Sequence, residues 1–268
     1  MIVFEQLTKV YGAFAAVKPL SLTVQRGELF GFLGPNGAGK TTTIRMLMGI
    51  LAPSGGRVLV DGFDCHLDAT EVKRRVGYLP DNPIFYDYLR GREILQFVAE
   101  MHGFSRDEAI ARSNRMLSEF DLDEVSEEFA VNYSLGMKKK LGLACALIHE
   151  PIVLILDEPI NGLDPRAARD VQDRLRSAAA AGVTVFVSTH LLDMAETMCT
   201  RVGIIHRGAL AATGTLDELR SNAALTGSLE EIFLKITDES AHDAHAAHAA
   251  HAAHAAHAAH HAPGAPAQ

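Results

Sequence analysis

The chain has 268 residues, 48% hydrophobic and 22% charged, and its 25 Lys+Arg against 33 Asp+Glu give a formal charge of −8. That is the composition of a folded globular protein, and the acidic balance argues against holding nucleic acid by bulk charge. Residues 241–268 stand apart, because 15 Ala, 8 His and a single charged side chain, Asp243, occupy that stretch. Apolar runs reach only about six residues, where a membrane-crossing helix needs roughly 18. The start, Met1-Ile2-Val3-Phe4-Glu5, lacks the basic-then-apolar layout of a secretory leader. Cys65, Cys145 and Cys199 are widely spaced and form neither a metal pattern nor a disulfide framework. A reducing, cytoplasmic compartment is the expectation.

The first thirty or so residues read as strands. Leu20, Leu22 and Val24 alternate with Ser21, Thr23 and Gln25, the period of a half-buried strand. Glu28–Leu33 is a mostly apolar run that leads straight into Gly34-Pro35-Asn36-Gly37-Ala38-Gly39-Lys40-Thr41-Thr42. Thr43–Ile50 is predicted as helix, and Arg57–Val60 as a strand closed by the Asp61-Gly62 turn. From about Asp87 to His149 the period becomes helical. Ile94, Leu95, Val98 and Met101 share a face ahead of Gly103, and Ser105–Glu108 is a capping box. Met137, Leu141, Ala144 and Ile148 share another face, and Pro151 stops the run.

The strand–helix alternation then returns. Ile152–Leu156 is β-rich. Asp164-Pro165 is an N-cap followed by a first-turn proline, and Gly182 follows that helix. Val183–Ser188 and Val202–Ile205 read as strands, and Thr215–Glu218 and Ser228–Glu231 as capping boxes of two short helices. The pattern predicts an α/β fold, a mostly parallel sheet covered by helices. The helical stretch, about 82–149, reads as an insertion into a domain spanning 1–240, followed by the His/Ala-rich tail 241–268.

Gly34–Thr41 fits G-x-x-x-x-G-K-[ST] between an apolar strand and a helix. Its glycines let successive N–H groups point inward at phosphate oxygens, and the helix N-terminus adds positive potential. Asn36, Gly37, Ala38, Gly39, Lys40, Thr41 and Thr42 are the candidate cradle, with Lys40 on the β- and γ-phosphates and the Thr41 hydroxyl on Mg²⁺. The plainer alternative is a glycine-rich turn with a surface lysine. Asp157 and Glu158, at the end of Ile152–Leu156, supply the carboxylates such a site needs. Asp157 is the metal-side ligand and Glu158 the base for an attacking water, unless the pair merely ends a core strand.

With these motifs in this order, the chain resembles the ATP-binding subunit of an ABC transporter over about residues 2–237. The resemblance implies a P-loop NTPase core of RecA-like type, an antiparallel β subdomain and an inserted helical subdomain. It implies that Tyr11 stacks on adenine with Val17 nearby, that His190 hydrogen-bonds the γ-phosphate, and that Asn161-Gly162-Leu163-Asp164 touches an opposite subunit. Tyr133-Ser134-Leu135-Gly136-Met137 is similar to the signature L-S-G-G-Q. In the family, Ser134, Gly136 and Met137 would cap nucleotide held by the other subunit, so ATP joins an ABC-type dimer, homo- or heteromeric. Two positions depart from the pattern. Asp81 stands where the family usually has Gln and is carried over as a metal-side position, and Leu135 replaces the first signature glycine. Lys138-Lys139-Lys140 either favours phosphate locally or, the plainer reading, is a solvated helix face.

Ser228–Thr237 is similar to a segment that follows the core in exporter-type ATPases and, with the Tyr-Ser-x-Gly-Met signature, favours that branch over the plainer alternative of an ordinary amphipathic terminal helix. The resemblance implies an ATPase with ATP and Mg²⁺ that drives export through a separate transmembrane permease. The chain would then lie on the cytoplasmic face of the membrane, with Asp81–Arg92 as the docking surface. A soluble ABC-type ATPase serving, for example, cluster assembly is the competing reading, and a poorly hydrolysing regulator a third. The His-Ala-Ala repeat of residues 245–260 is either a loose Zn²⁺, Ni²⁺ or Cu²⁺ binder or an inert low-complexity terminus.

Overall fold

The computed structural model describes residues 1–223 and 228–237, so the tail expectation lies outside the described residues. The amino-terminal strands β1 (Ile2–Tyr11) and β2 (Phe14–Val24) pair antiparallel, and β1 also pairs antiparallel with β4 (Gly55–Val60), which carries the short β5 (Phe63–Asp64). Their alternating burial, apolar inward and polar outward, is what a sheet with one solvated face requires. The second sheet has β6 (Val76–Leu79), β7 (Val153–Asp157), β8 (Thr184–Thr189), β3 (Leu29–Leu33), β9 (Arg201–His206) and β10 (Ala209–Gly214) in that spatial order. All of these neighbours are parallel except β9 with β10. Every residue of β3, β7 and β8 is buried, as expected of strands covered on both faces.

The order β3-β8-β7 positions the candidate site. In a parallel sheet the carboxyl ends of neighbouring strands share one edge, and ligands bind there. The glycine-rich loop leaves β3, Asp157 and Glu158 end β7, and His190 follows β8. Residues from three distant stretches therefore meet at one edge.

Between β6 and β7 the chain builds a helical layer from α3 (Gly91–Met101), α4 (Arg106–Glu119) and α5 (Leu135–Leu147), which follow α1 (Lys40–Leu47) and α2 (Ala69–Arg75) in sequence. Ser105 caps α4 in the expected box with Glu108, and the Ser134 hydroxyl accepts from Met137 N–H to cap α5. The layer continues one core face of the sheet, with Leu95, Met116, Phe120 and Leu141 packed alongside Leu154, Leu156 and Val187. After β7 come α6 (Pro165–Ala180), capped by Asp164 through the N–H groups of Arg166 and Ala167, then α7 (Leu192–Met198) and α8 (Leu216–Ala223). A further helix covers 229–237, and Leu229 and Ile232 pack with Leu219 on Val202 and Ile204.

The opposite core face joins the two sheets. Phe186 sits among Phe4, Phe30 and Phe32, with ring centroids 5.4 to 6.1 Å apart. Two local expectations shift. The helix predicted at Thr43–Ile50 begins at Lys40, because the loop's last glycine is itself the N-cap. The stretch of α2 and β6 and the edge strand β10 carried no strong period and were not anticipated. Truncating Phe186 to Ala should lower unfolding stability by about 3–5 kcal/mol, as for other buried aromatics, measured by denaturant titration. Unchanged stability would contradict this packing.

Candidate functional site

Gly39 has φ +109°, and a Cβ there would stand 2.7 Å from Ala16 O, so only glycine fits. Gly37, at φ +79°, has open space around it. The loop curls around Lys40, whose Nζ donates to Gly34 O at 2.6 Å and Pro35 O at 3.3 Å. Nζ also lies 3.7 Å from Glu158 Oε1, with both side chains at a tenth exposure or less. Burial holds the Lys40 ammonium below the ordinary lysine value, while Glu158 and Asp157 pull the other way.

Thr41 Oγ1 donates to Asp157 Oδ2 at 3.2 Å, and Ser188 Oγ donates to Asp157 Oδ1 at 2.6 Å. Burial raises the Asp157 pKa, opposed by those two hydroxyls. The Thr41 hydroxyl and the Asp157 carboxylate are hard oxygen donors side by side, a set that fits Mg²⁺. Glu158 sits at φ +49°, an unusual backbone for a residue with a side chain. Its carboxylate accepts from Thr189 Oγ1 at 3.0 Å, and His190 Nδ1 lies 2.9 Å from Oε1. The Nδ1–H tautomer of His190 therefore donates to Glu158, so strand ends β7 and β8 are joined at the site.

These groups open into a cleft of about 410 Å³ lined by Tyr11, Phe14, Ala16, Pro35, Asn36, Gly37, Gly39, Lys40, Thr41, Thr42, Asp81, Asp157 and Glu158. Tyr11 and Phe14 are exposed aromatics, and they share the cleft with the glycine-rich loop and the carboxylates. Val17, expected beside the base, is instead fully buried, because its inward phase on β2 points it under the loop; Phe14 and Ala16 take the lining position. Phe14 was legible in the sequence only as an aromatic three residues after Tyr11. Ala38 is buried within the loop.

Ser134, Gly136, Met137 and Asp164 do not line that cleft. They line a second one, about 480 Å³, with Asp121, Leu122, Lys140, Arg166, Ala167 and Asp170. Leu135 lies against the 161–164 loop: a Cβ on Gly162 would come 2.8 Å from its Cδ2. The lysine run is not uniformly solvated either. Lys139 is buried, with its Nζ 2.6 Å from Glu158 O and 3.7 Å from Asp81 Oδ1. Sequence reasoning missed it because it gave α5 one buried face, through Met137, Leu141, Ala144 and Ile148, whereas Leu143 and Ala146 on the side of Lys139 are buried too.

A profile of the family described as ABC transporter matches residues 17–161. The chain is 39% identical over 220 residues to a probable multidrug ABC transporter ATP-binding protein, YbhF, of Escherichia coli, covering 82% of this chain and 38% of that protein. It is 40% identical over 215 residues to the bacitracin transport ATP-binding protein BcrA of Bacillus licheniformis, covering 80% of this chain and 69% of that one. A solved ATP-binding subunit of an ABC transporter superposes with TM-score 0.83 at 34% identity, covering 88% of this chain and 99% of that one.

Raising the folded-state pKa of Asp157 means that its protonated form favours the fold. Its contribution is present at low pH and lost as pH rises through the folded-state value. The stability of the wild type relative to Asp157→Asn should therefore grow as pH falls from 7 toward 4, read by thermal melts at each pH. A difference that is flat or shrinks would contradict the burial argument.

Proposed function

The chain belongs to the ABC transporter family as an ATP-binding protein, and on that premise we propose that it hydrolyses ATP as half of a two-copy clamp. The observation that carries the proposal is the separation of the two clefts. The Lys40 cleft has cradle and carboxylates but an open side, and the Ser134 cleft has a helix N-terminus and a hydroxyl but no cradle. Each is incomplete, and a second copy facing the first completes both.

In this reading Tyr11 and Phe14 take the adenine, and the loop N–H groups and Lys40 take the β- and γ-phosphates. Thr41 and Asp157 hold Mg²⁺, which supplies charge neutralisation at the phosphates. Glu158 accepts the proton of the attacking water, and His190, bonded to that carboxylate, keeps it aimed. Ser134, Gly136 and the α5 N-terminus cover the γ-phosphate from the other copy, with Asp164 at the contact. Glu158→Gln should cut phosphate release by at least about 100-fold, the usual size of a lost general base, while leaving ATP binding. Near-normal turnover would remove Glu158 from the role.

The coupling face supports a separate permease. Among the described residues no helix is long and apolar enough to cross a membrane. Yet Ile84, Tyr86 and Tyr88 are 92%, 68% and 82% exposed, with Tyr86 edge-on to the half-exposed Phe97. Their loop follows Asp81, so it connects the nucleotide cleft to an apolar surface suited to a protein partner. Relatives described as multidrug and bacitracin transport ATP-binding proteins support a transport role, which this reading takes as export with the chain held at the membrane through that partner. Paired Tyr86→Glu and Tyr88→Glu substitutions should abolish co-sedimentation with native membranes. Undiminished co-sedimentation would move the docking face elsewhere.

A further inference from the structure

Lys139 belongs to none of the roles above, yet it is the most deeply placed charge near the cleft, with 1% of its side chain exposed. Removing an ammonium from water costs several kcal/mol unless its partners are fixed. Here they are. The Glu158 carbonyl accepts from it at 2.6 Å, and the Asp81 carboxylate stands 3.7 Å away. Glu158 N–H donates to Ser188 O at 2.9 Å. Both backbone groups of a residue in the left-handed region are thus pinned, one by β8 and one by Lys139, and the direction of its carboxylate follows from them.

The charge count points the same way. Asp81, Asp157 and Glu158 line the cleft with Lys40, and Lys139 lies behind them, 3.7 Å from Asp81. Without Lys139, three carboxylates face one ammonium where a polyanionic triphosphate has to enter. The same helix α5 begins at the Ser134 cap, and three residues beyond Lys139 its Gly142 packs under the loop that carries Asp81. A Cβ on Gly142 would come 3.3 Å from Pro83 and 2.6 Å from Leu79.

We propose that Lys139 is a positioning residue of the nucleotide site. It neutralises Asp81, which serves as its counter-ion and not as a magnesium ligand, and it fixes the backbone of Glu158. The signature helix is thereby fastened to the phosphate site of its own chain. The proposal rests on the reading of Glu158 and the Lys40 cleft given above.

The test is a charge cycle on the full chain with Lys139→Met, Asp81→Asn and the double variant. Affinity for trinitrophenyl-ATP is measured in EDTA and in Mg²⁺, alongside phosphate release and thermal melts. Lys139→Met should weaken binding in EDTA about tenfold, the scale of one uncompensated charge at short range. Adding Asp81→Asn should restore that affinity but not kcat, because the Glu158 carbonyl still lacks its donor. Asp81→Asn alone should tighten binding in EDTA. Equal loss of affinity in Lys139→Met and the double variant would overturn the proposal, since a purely structural lysine gives that result. So would an Asp81→Asn protein whose binding weakens only in Mg²⁺, the mark of a lost metal ligand. Should Lys139→Met give no cooperative melt, Asp81→Asn alone decides by these two affinities. A fully active Glu158→Gln overturns the underlying reading of Glu158, and the EDTA affinities tell that failure from this one.

Discussion

Lys40 and Glu158 stand 3.7 Å apart, almost without solvent, at the edge of a parallel sheet. Neither charge is comfortable there. Burial works against the ammonium, and the carboxylate hangs from a left-handed backbone. Such a pair persists only where the surrounding structure holds it, and each neighbour can be named. The Gly34 carbonyl and the loop backbone hold Lys40, Thr189 and His190 hold the Glu158 carboxylate, and Lys139 holds its carbonyl. Strand order β3-β8-β7 brings these pieces together, and the phenylalanine cluster beneath keeps β3 and β8 in register. In the proposed function, stability given up locally lets polyphosphate charge and a reacting water meet fixed groups instead of solvent.

The second cleft is the part of the proposed two-copy clamp that a single copy leaves unused. Ser134 and Asp164 each cap a helix, α5 and α6, and both capped ends border that surface. In the proposed function, the Ser134 hydroxyl and the start of α5 are what this cleft offers to a phosphate. Leu135, in place of the signature's first glycine, is accommodated by its own chain, lying across Gly162. Ser134 and Gly136 stay on the cleft.

Much of this was legible because it is local. The glycine-rich loop, the Ser105 and Thr215 boxes and the Asp164-Pro165 start each declare themselves within a few residues. The carboxylates at the end of β7 are marked by the apolar run before them. What was not legible depends on three-dimensional phase. The inward turn of Val17, the buried middle lysine of Lys138-Lys139-Lys140 and the pairing of Lys139 with Asp81 involve partners 19 to 58 positions apart or a face that no run of side chains reveals. The edge strand β10 is ordered by pairing with β9, not by its own alanine-rich sequence.

The most direct measurement is a structure of the Glu158→Gln protein with ATP and Mg²⁺. Two copies should enclose two nucleotides, each γ-phosphate lying within hydrogen-bond distance of Ser134 from the opposite copy. A nucleotide bound in the Lys40 cleft of a single copy, with Ser134 open to solvent, would contradict the account.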